Sequence, residues 1–322
     1  MRFSEGLVVE IEVPQQRNLH GGARFPAVVT PSSSPSPSPS PQQLIESHKQ
    51  LLDSLLAESG ALLLRGFQLN TPSDFNDVVE AFGYDEFRLA SISAPRSKVV
   101  GRVFTANESP PEQYIAFHHE MALVPEFPSK LFFFCEVEPQ AGSGGETPIV
   151  LSNLVYEKMK KAQPEFVERL EKHGLLYTRF LGDNDDTSSP IGRGWKSNFN
   201  TTDKTLAQQR ANEMGMKLEW LEEGGVKMII GPVDGVRYDE RRGCKVWFHT
   251  MVGWDDPSKP VTFGDGEPLP EGAVTECLRI MEEECVAIPW NKGDVLIIDN
   301  LAVLHARRPC NTPRRVLASL AS

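Results

Sequence analysis

Two spacings of apolar residues alternate along this chain. Leu44, Ile45, His48, Leu51, Leu52, Leu55 and Leu56 recur every three or four positions, which predicts a helix with one buried face. Gly60 then stands where a left-handed C-terminal cap belongs. "ALLLRGF" (61–67) is a continuous apolar run of strand length, and Thr71-Pro72 reads as the cap and first residue of a helix reaching about Phe82. Two further helices are predicted over 153–173, divided at Pro164, and others near 202–215 and 270–285. Short β-type runs fill the intervals: "KLFFFCEVEP" (130–139), "LLYTRFL" (175–181), "KMIIGPV" (227–233), "KVWFHTM" (245–251), "DVLIID" (294–299) and "RRVLASL" (314–320). Strands and helices do not alternate regularly, as a doubly wound sheet requires. The expected fold class is mixed and β-rich (α+β), a β-core with helices packed around it.

One stretch breaks the pattern. "PSSSPSPSPSP" (31–41) buries too little apolar surface to offset the entropy of ordering, so it reads as a solvated, polyproline-like or disordered loop. It sets off an N-terminal segment, 1–41, from a single expected domain, 42–322. The run Glu282-Glu283-Glu284 is expected to be a solvated face. "DNDD" (183–186) reads as a solvated loop, because its carboxylates lack the spaced partners of a calcium loop.

Composition narrows the function classes. The formal net charge of −11 comes without any long Lys/Arg cluster, which argues against nucleic acid as a partner. Five scattered cysteines with no CxxC pair fit a reducing compartment. No apolar run approaches the ~18–20 residues of a membrane span. Glu5, Glu10 and Glu12 argue against a targeting peptide, so a cytoplasmic location is expected.

The candidate chemistry begins at "IAFHHEMALV" (115–124). Taken as a strand, this run turns His118 and Glu120 to one face and Phe117, His119 and Met121 to the other. One imidazole and one carboxylate can then converge on a point, as in a 2-His-1-carboxylate site for non-haem Fe(II). Alone, such a pair is a weak signal. Of the other histidines, His48 and His173 lie on predicted helices and His20 in the N-terminal segment. His305 follows the strand in "GDVLIIDNLAVLHARR" (293–308), in a place that suits a third ligand. Thr147, after the Gly-Gly turn of "GGETPIV" (144–150), and Arg315, ten residues beyond His305, would supply a hydroxyl and a guanidinium. Those are the groups that the distal carboxylate of a dicarboxylate co-substrate needs. Strand parity sets Arg315, Leu317 and Ser319 on one face and Arg314 on the other. His119 is expected to pack behind the metal strand with a satisfied ring nitrogen; the competing reading is a spare ligand or a hydrogen-bond donor to one.

The array His118-x-Glu120, Gly144-Gly145-Glu146-Thr147, Asp299-Asn300, His305 and Arg315 resembles the taurine dioxygenase/clavaminate synthase-like (TauD/TfdA) family of Fe(II)/2-oxoglutarate oxygenases. It looks closest to the plant clavaminate synthase-like proteins, over roughly residues 50–320. The resemblance implies a double-stranded β-helix (jelly-roll) core with helical insertions. It implies His118, Glu120 and His305 as the iron ligands, and Thr147 and Arg315 as the groups holding 2-oxoglutarate. The implied activity is oxidation of a small molecule by hydroxylation, desaturation or cyclisation, coupled to oxidative decarboxylation of 2-oxoglutarate by O₂. Taurine-type members carry a second arginine four residues after the co-substrate arginine; Ser319 stands there, which disfavours a small sulfonate substrate. His249 stands where related plant sequences more often carry Asn. Asn107 is a candidate for facing the substrate, and lid segments are expected around 183–200 and 247–266. Two alternatives stay open: an inactive jelly-roll protein that binds a ligand or partner, and a Zn²⁺ hydrolase using the same triad. The second leaves Thr147 and Arg315 without a role.

Overall fold

In the computed structural model, residues 7–32, 39–87, 96–106, 109–185, 193–250 and 260–322 are described. The helices begin where their capping residues are. Ser40, next to the end of the Pro/Ser-rich stretch, caps helix Pro41–Ser59 in a reciprocal box with Gln43, and Pro41 fills its first position. That helix buries Leu44, Ile45, Leu52, Leu55 and Leu56 and stops at Gly60, whose φ of 86° is the left-handed cap. Thr71 and Asp74 form the same box ahead of helix Pro72–Ala81. Gln163 and Pro164 divide Ser152–Ala162 from Pro164–His173. Residues 33–38 of the low-complexity stretch lie outside the described residues.

The largest sheet has eight strands, in the order Val8–Glu10, Ala27–Pro31, Ala61–Leu64, Val295–Asp299, Lys130–Val137, Arg315–Ala321, Val103–Thr105 and Lys98–Val100. All pairs are antiparallel except Ala27–Pro31 with Ala61–Leu64. The residues preceding the Pro/Ser-rich stretch therefore extend this sheet.

Alternation decides what each face meets. Phe132, Phe134, Val295, Ile297 and Leu317 pack against Leu52, Leu56, Phe75, Val78 and Val79 of the first two helices. Leu131, Phe133, Cys135, Leu296, Ile298, Val316, Ala318 and Leu320 face the other way, onto Ile149, Leu151 and Val303 of a second sheet. That second sheet has three antiparallel strands, ordered Ile149–Leu151, Val303–Arg307 and Ile115–His118. Its far side, through Phe117, Val150, Leu304 and Ala306, joins a third core made with Val155, Met159, Leu170, Tyr177, Cys277 and Ile280. Burying a side chain of this size stabilises by roughly 1.5–3 kcal/mol. A sheet packed on both faces is a rigid support.

Two expectations need correction. The strand at 115–124 ends at His118, and residues 120–123 form a turn in which Met121 has a φ of 57°. The acidic run is not simply solvated: Glu284 is 12% exposed and bridges Arg17 and Lys158. The described part of the loop at 183–185 is largely exposed, as expected, with Asp183 accepting from the Trp195 indole and Asp185 from the Gly194 N–H and Ser197 hydroxyl.

Candidate active site

His118 and His305 are directly opposite each other in register, on the His118 and His305 strands (Ile115–His118 and Val303–Arg307). Opposed residues of an antiparallel pair point to the same face, and the two rings come within 4.2 Å, centroid to centroid. The Nδ1–H of His118 donates to the Ala116 carbonyl at 2.8 Å, which leaves Nε2 with the free lone pair. His305 is buried, with Nδ1 lacking any hydrogen-bond partner. Burial first, then the positive potential of His118, His119 and Arg96, holds His305 well below the usual histidine range. Neutral imidazole is the form that binds a metal.

Glu120 reaches the same point by a different device. Past the end of the strand its backbone would lose ladder partners, and the carboxamide of Asn300 replaces them. Asn300 Oδ1 accepts from the Glu120 N–H at 2.9 Å, and its Nδ2 donates to the Glu120 carbonyl at 3.0 Å and the Pro128 carbonyl at 2.8 Å. Asn300 follows directly on the strand Val295–Asp299, whose Asp299 pairs with Lys130 and Arg241. Burial alone would raise the Asp299 carboxyl, but those two cations keep it below its ordinary range. One ligand atom each from His118, Glu120 and His305 lies within 4.8 Å of the others. The Glu120 carboxylate also pairs with Arg96, Nη2 to Oε2 at 2.9 Å.

Thr147 has an arginine beside it, though a different one from that expected. Thr147 is buried in an extended segment two residues before Ile149, the other cross-strand partner of His305. The arginine beside it is Arg314, not Arg315. Arg314 donates from Nε to the Gly145 carbonyl at 2.6 Å and from Nη2 to the Thr147 hydroxyl at 3.4 Å. Arg315 is half-exposed and bound to Glu136. Parity separated the two arginines correctly. Which face was interior depended on the packing of the main sheet: Val316, Ala318 and Leu320 look into the space between the sheets, and Leu317 looks at the helices. The position four residues beyond Arg314 is Ala318, so no arginine stands at either count.

Burial lowers the Arg314 guanidinium to about 10, and the neighbouring Arg307 adds to the effect. Among the described residues, no carboxylate lies within ion-pair distance of Arg314. The Gly-Gly turn makes room for it. Gly145 has a φ of 82°, and a Cβ there would lie 2.9 Å from Arg314 Cδ; a Cβ on Gly144 would lie 2.2 Å from the Pro309 carbonyl oxygen.

Behind the metal strand, His119 is buried, with Nδ1 2.5 Å from the Asn300 carbonyl and Nε2 2.8 Å from that of Trp247 and 3.0 Å from the Ser152 hydroxyl. Burial outweighs those oxygens and lowers it to about 4. Its nitrogens are satisfied, as expected, and its hold on Asn300 ties it to Glu120. His249 is buried with neither nitrogen partnered among the described residues, and burial lowers it to about 3. Asn107 lies outside the described residues, as do 186–192 and 251–259 of the expected lids. Asn300 could be singled out from sequence only as a neighbour of Asp299, and nothing marked Arg96.

The family model for "Taurine catabolism dioxygenase TauD, TfdA family" matches residues 29–320. A clavaminate synthase-like protein of Arabidopsis thaliana is 61% identical, covering 99% of each chain. Among solved structures, PvcB of Pseudomonas aeruginosa is similar at a TM-score of 0.57 and 16% identity, covering 99% of this chain and 92% of that one. A second PvcB structure, titled an Fe, alpha-ketoglutarate dependent oxygenase from an isonitrile synthetic pathway, gives a TM-score of 0.53 at 14% identity over 100% and 93%. With this match over nearly its whole length, the chain belongs to the TauD, TfdA family of dioxygenases.

Proposed function

We propose that this protein is an Fe(II)- and 2-oxoglutarate-dependent dioxygenase. It couples oxidative decarboxylation of 2-oxoglutarate to oxidation of a small molecule, on a double-stranded β-helix formed by the two facing sheets. The observation that carries the reading is the convergence of His118, Glu120 and His305 next to the Thr147–Arg314 pair.

The residues fit the implied groups. Two neutral imidazoles and one carboxylate suit ferrous iron and leave coordination positions open. Arg314, an interior guanidinium whose partners are a carbonyl and a hydroxyl, suits the distal carboxylate of 2-oxoglutarate. Bound there, iron and 2-oxoglutarate would supply the activation of dioxygen for attack on an unactivated C–H bond. The chain's own residues do the rest. His118 and His305 present neutral nitrogens from a rigid strand pair, Asn300 fixes the backbone of Glu120, and Thr147 and Arg314 set the orientation of the co-substrate. Phe133, 5.3 Å from the His305 ring, contributes an apolar wall that keeps water from the ligands. A zinc hydrolase would leave Arg314 and Thr147 unused.

The test is succinate release from anaerobically Fe(II)-loaded protein after admission of O₂ and 2-oxoglutarate. Slow release without substrate is expected, and His118→Ala and Glu120→Ala should abolish it together with Mn(II) binding. Turnover that survives either substitution sinks the ligand assignment.

A further inference from the structure

Arg96 is bound to Glu120 in an arrangement that uses only half of what the guanidinium offers. The two side chains are 6% and 9% exposed, and the contact is Nη2 to Oε2 at 2.9 Å. Nε, the other donor on the same edge of the guanidinium, is buried with no acceptor among the described residues. That edge is built to receive both oxygens of one carboxylate, and here it receives one oxygen of a residue assigned to the metal. Among the described residues, Arg96 has no other carboxylate within ion-pair distance.

We infer that Arg96 is an anion-binding residue of the loaded site, its Nε–Nη2 edge meeting a ligand carboxylate when a divalent ion is held by Glu120. The inference rests on the function proposed above and names the ligand chemistry of the same site. Charge balance requires such a partner. With Glu120 and the chelating carboxylate of 2-oxoglutarate both facing a divalent ion, and Arg314 facing the distal carboxylate, the Arg96 guanidinium has lost its counter-charge. An unpaired buried cation is strongly disfavoured, and a ligand carboxylate meets it on the Nε–Nη2 edge. That carboxylate belongs to the primary substrate or is the 2-oxo acid end of the co-substrate itself. The first source makes the substrate a carboxylic acid, although Ala318 and Ser319 fill the places where an anion-gripping arginine was sought.

The test uses Mn(II) as a non-turnover metal and calorimetric titration of the full chain, its Arg96→Gln and its Arg96→Lys variants. Removing a cation that competes for Glu120 should leave Mn(II) affinity equal or several-fold higher. A tenfold loss would instead make Arg96 a clamp on Glu120 and overturn the inference. 2-Oxoglutarate is then titrated into the Mn(II)-loaded proteins. A weakening of tenfold or more in Arg96→Gln, partly restored in Arg96→Lys, assigns the anion to the co-substrate. With 2-oxoglutarate affinity unchanged, benzoate and benzamide are titrated into the Mn(II)/2-oxoglutarate complexes. A tenfold preference for benzoate that disappears in Arg96→Gln assigns the anion to the substrate. If neither 2-oxoglutarate nor benzoate distinguishes the variants, the inference fails. Failure of the unsubstituted chain to bind Mn(II) and 2-oxoglutarate would instead sink the proposed function beneath it.

Discussion

Two pairs of sequence neighbours, His118-His119 and Arg314-Arg315, are split by the fold in the same way. The members that turn away from the space between the sheets are provided for. His119 has oxygens at both nitrogens, and Arg315 has Glu136. The inward members keep binding capacity in reserve: His118 keeps Nε2, and Arg314 has a carbonyl and a hydroxyl but no carboxylate. His305, across from His118, adds a second unpartnered nitrogen to the same side. Identical side chains one residue apart thus differ in whether the protein itself completes their chemistry. A ligand site is marked here by unmet polar groups in a packed interior.

His249 is the exception, a buried imidazole unpartnered among the described residues and outside the assigned site, and it gives the largest effect that can strain the comparison. The unfolded chain takes up a proton near pH 6.5 that the folded chain refuses until about pH 3, because burial disfavours the charged ring. The contribution of His249 is therefore level above pH 6.5 and falls as pH drops below it, by roughly 5 kcal/mol at the acid limit. Urea unfolding between pH 4 and 8 should show part of this loss, and His249→Leu should reduce the slope without abolishing it, because His119 and His305 are lowered in the same direction. An unchanged slope in the variant would mean that other groups govern acid sensitivity.

The arginine pair comes next. Arg314→Gln should weaken 2-oxoglutarate binding to the Mn(II)-loaded protein about 100-fold, the scale of removing one partner from a desolvated charge pair. Asn300→Ala should lower metal affinity about 10- to 100-fold, as removal of groups that orient a ligand typically does. It leaves His118 and His305 in place, so circular dichroism should report a folded chain. Gly145→Ala forces a side chain into φ > 0 against Arg314 and should cost about 1–3 kcal/mol, read from the denaturation midpoint. The smallest effect is at Arg315: its half-exposed pair with Glu136 contributes about 0–1 kcal/mol, and Arg315→Gln should leave 2-oxoglutarate affinity within about twofold. If Arg315→Gln and Arg314→Gln exchange these outcomes, the interior face has been misassigned.

What could be read from the sequence followed from local physics. Ser40-Pro41, Thr71-Pro72, Pro164 and Gly60 mark helix ends because their capping chemistry is local, and the apolar runs mark buried strands because burial on both faces leaves few alternatives. His118 and Glu120 were rightly paired, yet for a reason that holds only as far as His118. Beyond it, Asn300, 180 residues away, takes over the role of a neighbouring strand. Alternation along residues 314–320 separated Arg314 from Arg315, but the choice between the faces lay in how Leu317 and Val316 pack against elements distant in sequence. Arg96 carried no signal at all. Its meaning comes entirely from the carboxylate it meets.

The strand Val303–Arg307 touches both ends of the site. On one edge His305 faces His118, and on the other it faces Ile149, two residues from Thr147. A single stretch of five residues is thus the ruler that sets the distance from the His118–His305 pair to Thr147 and the arginine beside it. Deleting one residue within it would flip its parity and put both marks out of alignment at once. Loops elsewhere in the chain can lengthen or shorten without touching that measure. Diversity in what such a protein oxidises is therefore free to accumulate around a gauge whose own length is fixed.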